Sequence, residues 1–225
     1  MSIREERKQQ SRKAILDAAL ALSTTGRSFS SLSLREISRH VGLVPAAFYR
    51  HFQDMDELGL ELVDQMALHL RNVLNQLSQQ CFQAPDARTR QSLDYLFHAV
   101  EQFPEAWMFL IAERWGGSAS LRQAITREFN FLSTDLAHAL AQVEATQHIQ
   151  SEQDLKVLGQ ILFELALSWA MQWIDLHRHG EVPQRTDALQ QFRRQAQTQV
   201  QLLFRGILHW DRSLAQIADP QNLST

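Results

Sequence analysis

The side chains best suited to chemistry crowd into one short stretch, "AAFYRHF", residues 46 to 52, where Tyr49, Arg50 and His51 are consecutive. A phenol, a guanidinium and an imidazole in a row carry donors matched to phosphate oxygens and to the acceptor edges of bases. Enzymatic chemistry finds little support. There is no G-x-S-x-G pattern and no phosphate-cradling glycine loop, and Cys81, the single cysteine, has no identifiable base beside it. Nine histidines invite a metal, yet the nearest cluster, His177-Arg178-His179, places its imidazoles at i and i+2, which diverge on a helix. No HExxH and no cysteine pair accompanies them. The reading is of no catalytic residue, no metal and no cofactor.

The Tyr-Arg-His triplet needs elements to hold it, and the preceding residues supply two short helical patterns around a lone glycine. Ser33-Leu34-Arg35-Glu36 reads as a capping box, in which Ser33 caps a helix and Glu36 reaches back to its amide. Gly42 suits a turn with positive φ, and Pro45 suits the first turn of a further helix, beginning at Val44 or Pro45. Phe48 and Phe52 would anchor that helix inward and present Val44, Pro45, Ala46, Ala47, Tyr49 and Arg50 outward. Helix, glycine turn, helix is the helix-turn-helix arrangement, whose second helix enters the major groove of double-stranded DNA. Tyr49 and His51 then suit phosphates, Arg50 or Arg35 base edges, and the small apolar tip thymine methyl groups.

Around this unit the whole chain reads as all-α. A first helix spans about 4–22, with Ile15, Ala18, Ala19 and Leu22 as its apolar stripe, and Asp54-Met55-Asp56-Glu57 caps a long helix to about residue 79. Further helices are expected near 86–102, 105–115, 119–143, 152–178 and 186–212, separated by Pro85, Pro104, Gly116-Gly117, a polar 145–151 segment, Gly180 and Pro183, with the last ten residues frayed. This divides the chain into a helix-turn-helix domain, 1–55, and a larger helical body, 56–225.

Charge is distributed to match. Through Phe52 there are nine basic and four acidic residues, leaving 13 basic and 21 acidic for the remainder, so a head of +5 sits on a body of -8. A basic end on an acidic body meets polyanions with that end only. One cysteine and a charged start without an apolar h-region suit the cytoplasm, and the most apolar stretch, 161–174, carries Glu164 and falls short of a membrane span of about 20 residues.

"LREISRHVGLVPAAFYRHF" resembles the signature of the TetR family of one-component repressors, and the likeness covers about residues 10–62. It implies an operator-binding homodimer whose helical body senses a small molecule. Three stretches, "SFSSLSLREIS", "FYRHFQDMDELGL" and "ERWGGSASLRQAITRE", are similar to the branch that represses unsaturated fatty acid synthesis or desaturation and senses long-chain acyl thioesters. The alternative within the family is a sensor of another apolar compound, such as a drug, controlling an efflux transporter. Departures from the family pattern lie at Val44, Ala47 and Met55, where serine, threonine and lysine are usual. They remove hydrogen-bonding groups, and Asp54 and Asp56 stand where a phosphate is expected. Backbone amides at that helix start could still hold the phosphate, or contacts could shift to Arg4, Arg7, Arg12, Lys13 and Arg27.

In the body, the resemblance implies an effector site lined by Phe103, Trp107, Leu110, Arg114, Phe129, Phe163, Trp169 and Trp173, an apolar lining suited to an acyl chain. Aromatic residues at helical spacing serve equally as core. Arg114, Arg122 and Arg127 could receive the phosphates of an acyl-CoA or simply form a solvated face. Glu164 is either paired with one of them or turned to the surface. Two late stripes, Leu155, Leu158, Leu162, Leu165 and Trp169, then Phe192, Ala196, Val200, Leu203, Ile207 and Trp210, suggest a four-helix dimer interface with Gly159 and Gly206 permitting close approach.

Overall fold

The computed structural model describes residues 3–81, 88–179, 182–208 and 210. Pro85 and Gly180, expected as breaks, and the last ten residues lie outside them, as does the side chain of Cys81. The described residues form nine α-helices and no strand: α1 (Ile3–Ser23), α2 (Leu34–His40), α3 (Pro45–Phe48), α4 (Met55–Cys81), α5 (Arg88–Gln102), α6 (Pro104–Glu113), α7 (Ala119–Leu140), α8 (Glu152–Arg178) and α9 (Val182–Leu208). Helix α9 starts earlier than expected because Pro183 falls in its first turn, where a missing N–H leaves no intrahelical bond unmade.

Local chemistry sets the N-terminal corners. Ser33 caps α2 by accepting the Glu36 amide at 3.2 Å, but Glu36 does not complete the expected box. Arg27 takes its carboxylate at 2.5 Å instead, since a guanidinium is a stronger, charge-assisted donor than a backbone amide. Gly42 turns the chain at φ +70°, a conformation open to glycine without a Cβ penalty. Val44 then leads into Pro45 at the first turn of α3, with no side-chain cap. At α4, Asp54 caps the helix by accepting the Glu57 amide at 2.8 Å, and Glu57 reaches back to accept the amide of Gln53, one residue before the cap, at 2.5 Å. The 55/56 boundary thus falls in the first turn of a helix that runs on into the body.

One apolar cluster joins the two parts. Ile15, Ala19, Ile37, Phe48 and Phe52 from the first three helices and the segment after them are contiguous with Leu58, Leu62 and Val63 of α4 and onward with Phe97, Phe109, Leu121 and Phe163. Helix α4 packs on α5, α6 and α7, and α7 pairs with α8. A smaller cluster of Leu140, Ile149, Leu158 and Ile207 closes the far end. By length and mean hydropathy (1.3 over its 18-residue window), α8 passes for a membrane span, unlike the shorter stretch judged from sequence, yet Phe163, Leu167, Trp169, Ala170 and Trp173 lie in the core.

The expected dimer stripes divide between the chain's own core and its surface: Leu155, Leu162, Leu165, Val200 and Leu203 are half-buried, Trp210 is exposed, and a Cβ on Gly206 would meet nothing. Leu158, Trp169, Phe192, Ala196 and Ile207 are buried within the chain itself, and the outward apolar residues of α8 and α9 are Val157, Ile161, Leu202 and Leu208. The buried part of each stripe follows the core-facing side of its helix because the stronger apolar periodicity marks burial of any kind, and the chain's own core is the larger demand. Gly159 likewise serves α7 rather than a partner: a Cβ there would stand 2.7 Å from the Ser133 carbonyl oxygen and 2.9 Å from the Ala137 nitrogen. Backbone atoms cannot step aside as a side chain can. Gly159→Ala should therefore lower unfolding free energy on the order of 1–2 kcal/mol despite its better helix propensity, measured by urea denaturation, with the oligomeric state unaltered in sedimentation.

Candidate functional site

Helix α3 is a single turn, and the chain continues past it in a tightened turn. The Arg50 amide donates to the Ala47 carbonyl at 3.3 Å, and the His51 amide to the Phe48 carbonyl at 2.8 Å. Phe48 and Phe52, both buried, stack 5.6 Å apart at a tilt beneath it, and the Arg12 guanidinium lies 4.6 Å from the centre of the Phe52 ring. With its inner face pinned, the turn shows its other face to solvent. Val44 is 68% and Tyr49 63% exposed, and Pro45, Ala46 and Arg50 are exposed beside them, with Ala47 half-buried. His51 is only half-buried, and its Nδ1 is enclosed without a hydrogen-bond partner.

The basic residues separate into two groups. Arg12 pairs with Glu61 at 2.6 Å, Lys13 with Asp17 at 2.7 Å and Arg27 with Glu36 at 2.5 Å. These three fix α1 and the α1–α2 connection. Arg7, Lys8, Arg35, Arg39 and Arg50 are exposed and enter no ion pair among the described residues. Of the cations expected to support a phosphate contact, Arg12, Lys13 and Arg27 are thus held by carboxylates, while Arg7 is exposed outside any ion pair among the described residues. At the α4 start the Asp54 carboxylate already holds the Glu57 amide, so that helix end offers a phosphate less than bare amides would.

In the body, Trp107, Leu110, Phe129, Phe163, Trp169 and Trp173 are buried, while Phe103 and Arg114 are half-buried. The structure gathers them into separate groups. Trp173 stacks on Phe97 at 4.3 Å and donates to Glu101 at 3.0 Å, and Trp169 donates to Gln199 at 2.7 Å. Phe129 and Phe163 meet edge to face at 5.2 Å, with the Arg114 guanidinium 5.3 Å from the Phe129 ring centre. Arg114 is also the partner of Glu164, gripping both carboxylate oxygens at 3.0 and 2.9 Å. Arg122 donates to the Gly116 carbonyl at 2.6 Å. Trp107 leaves its indole N–H buried and unpaired, as His69 does its Nε2. His69 meets the edge of Phe103 at 5.2 Å, and Phe103 ends a surface cleft of about 500 Å³ formed with Leu16, Leu20, Leu62 and Met66.

One residue escaped the sequence reading. Glu113, 2% exposed at the end of α6, accepts the amide N–H of Phe29 at 2.7 Å. Its signal was available: an acidic residue closing the apolar run "AWMFLIAE" opposes the negative end of the helix dipole and needs a donor from elsewhere.

Burial pushes the His69 imidazole below its ordinary value, and burial with Lys8, Arg12 and Arg50 nearby does the same to His51. The folded chain therefore binds these protons at lower pH than the unfolded chain, and stability declines as pH falls below about 6.5. The melting temperature should be lower at pH 5.5 than at pH 7.5, and His69→Asn should shrink that difference. An unchanged difference in the variant would contradict the assignment.

Residues 15–62 match the model of the bacterial regulatory proteins of the tetR family. Solved structures share the fold over most of the chain. A protein of Syntrophomonas wolfei assigned as a TetR-family transcriptional regulator aligns at 13% identity over 90% of this chain and 99% of its own, with a TM-score of 0.64. The fatty acid degradation regulator FadR of Bacillus halodurans aligns at 12% identity over 88% and 94%, with a TM-score of 0.58. NemR of E. coli does so at 20% identity over 85% and 96%, also at 0.58. The chain thus carries, on a body of the matching helical fold, the N-terminal domain of the TetR family of transcriptional regulators.

Proposed function

We propose that the protein is a homodimeric cytoplasmic repressor of fatty acid or lipid metabolism genes, in particular those of unsaturated fatty acid synthesis or desaturation, and that a long-chain acyl-CoA or related acyl thioester modulates it. The observation that carries the DNA half is the exposed turn from Val44 to Arg50, pinned from below by Phe48 and Phe52 and flanked by unpaired cations. On a duplex, Tyr49 and His51 would hold phosphates, Arg50 and Arg35 would reach base edges, and Val44, Pro45, Ala46 and Ala47 would meet thymine methyl groups. A palindromic operator requires two such turns about 34 Å apart, hence a dimer. The exposed Val157, Ile161, Leu202 and Leu208 of α8 and α9 are apolar surface suited to a twofold partner.

The effector half rests on the aromatic interior of α6 to α8, on the unpaired indole nitrogen of Trp107 within it, and on the unpaired Nε2 of the half-buried His69 on α4, which faces Phe103. An acyl chain suits the apolar lining, and those nitrogens suit a polar group of the thioester. Structures of this fold include a fatty acid degradation regulator and a protein assigned as a fatty acid metabolism regulator, with which a lipid effector would be in keeping.

Fluorescence anisotropy on DNA upstream of its own gene, with and without palmitoyl-CoA or oleoyl-CoA, tests both halves. Binding should be salt-sensitive and should differ between the thioesters; indifference to both would reject the lipid assignment and keep the repressor. Tyr49→Ala should weaken binding roughly tenfold across sequences and leave the salt dependence unaltered, since a phenol neutralises no phosphate charge. Sedimentation of that variant should show the parental dimer, since the side chain is exposed.

A further inference from the structure

Glu113 is placed where a carboxyl group is hard to account for by stability alone. Its Oε1 accepts the Phe29 amide at 2.7 Å, while its Oε2 is buried without a partner. Whether the group is ionised or neutral, a buried polar atom is left unsatisfied. Packing nevertheless makes room for it: a Cβ on Gly116 would collide with Oε2 of Glu113, and one on Gly117 would collide with the Ser30 hydroxyl.

The contacts around Glu113 join the α1–α2 connection to α4, α6, α7 and α8. Phe29 and Ser30 belong to the short 3-10 turn that joins α1 to α2. The Phe29 ring meets Phe109 of α6 edge to face at 6.1 Å, and Ser118, the cap of α7, donates to Asp56 of α4 at 3.3 Å. The next residue after Glu113 is Arg114, clamped on Glu164 of α8 and lying over Phe129. One corner, between α6 and α7, therefore touches the aromatic interior on one side and the DNA-binding helices on the other.

From this we infer that Glu113 is a positioning residue for DNA recognition: its hydrogen bond to the Phe29 amide registers the helix-turn-helix unit on the body, and its unsatisfied oxygen makes that bond releasable when α6 shifts. The inference rests on the DNA-binding reading above. A locked junction would use a fully satisfied group; here the desolvation cost of the orphaned oxygen offsets part of what the one good bond contributes, which lowers the cost of releasing it.

The test uses the full-length protein and needs no effector. Hydrogen–deuterium exchange reads the Phe29–Ser31 amides, and anisotropy on the upstream DNA reads function. Glu113→Ala should speed exchange at Phe29 and weaken DNA binding, each about tenfold, whereas Glu113→Gln, which keeps an acceptor oxygen, should restore both. Gly116→Ala displaces the carboxyl without deleting it and should act like Glu113→Ala, which covers the case in which the truncated variant folds poorly. Faster exchange with unaltered DNA affinity would make the bond merely structural and overturn the inference, as would a glutamine variant that behaves like alanine. Failure of the unmodified protein to bind the DNA is seen before any variant is made, and it removes the DNA-binding reading and this inference together.

Discussion

A three-helix DNA reader of roughly sixty residues buries too small a fraction of its surface to be secure alone, and this one completes its core with the body. Phe29, 2% exposed, is the clearest case: its ring sits against Phe109 of α6, and so close to Gly59 of α4 that a Cβ there would come within 2.7 Å of it. The core of α1 to α3 is thereby the same apolar cluster as that of α4 to α8. Shared burial has a mechanical result. The turn bearing Tyr49 and Arg50 cannot change its pose without α4 and α6 changing theirs, because close-packed interiors shift between arrangements rather than deform smoothly.

Electrostatics divide the same region into a frame and a face. Arg12, Lys13 and Arg27 give their charge to Glu61, Asp17 and Glu36, and the first of these ties α1 to α4. Such pairs contribute little stability; Arg12–Glu61 and Arg27–Glu36 link separate segments, whereas Lys13–Asp17 is exposed and lies within α1. Arg7, Lys8, Arg35, Arg39 and Arg50 stay exposed, and a polyanion can claim them without first breaking an ion pair. The basic surplus of the first 52 residues is thus concentrated in these exposed cations, since Asp17 and Glu36 neutralise Lys13 and Arg27 within that same stretch.

Much of the fold was legible because its signals are local. The Gly42 turn, Pro45 at a helix start, the inward Phe48 and Phe52, and the limits of α6 to α8 follow from backbone preferences and apolar period, which need no knowledge of distant residues. Misreadings came where a distant partner decides. Glu36 is drawn from its cap by Arg27, nine residues before it; Gly159 opposes α7, not a second chain; and part of the α8 and α9 stripes, Leu158, Trp169, Phe192, Ala196 and Ile207, faces inward because periodicity records burial without naming what covers it. Of the candidate site, the exposed turn could be placed from sequence, and so could an arginine partner for Glu164. Glu113 could not be read as a contact of Phe29, since 84 residues separate them.

The aromatic interior constrains how an effector could act on the proposed function. Six of the eight residues expected around it are buried as the structure stands, so an acyl chain must displace side chains to enter. Those side chains are not equally held. Trp169 and Trp173 are tied by hydrogen bonds to Gln199 and Glu101, and breaking them would strand buried polar atoms. Trp107 has no such tie, and the short helix that carries it ends at Glu113. A ligand that supplied the missing partner for the Trp107 indole would favour whichever state lets α6 move, and only that difference in affinity could shift the population. Among the described residues, the buried tryptophan without a hydrogen bond and the buried carboxyl with an unpaired oxygen therefore stand on the same ten-residue helix, which makes α6 the element on which an interior ligand and the DNA-binding turn could act on each other.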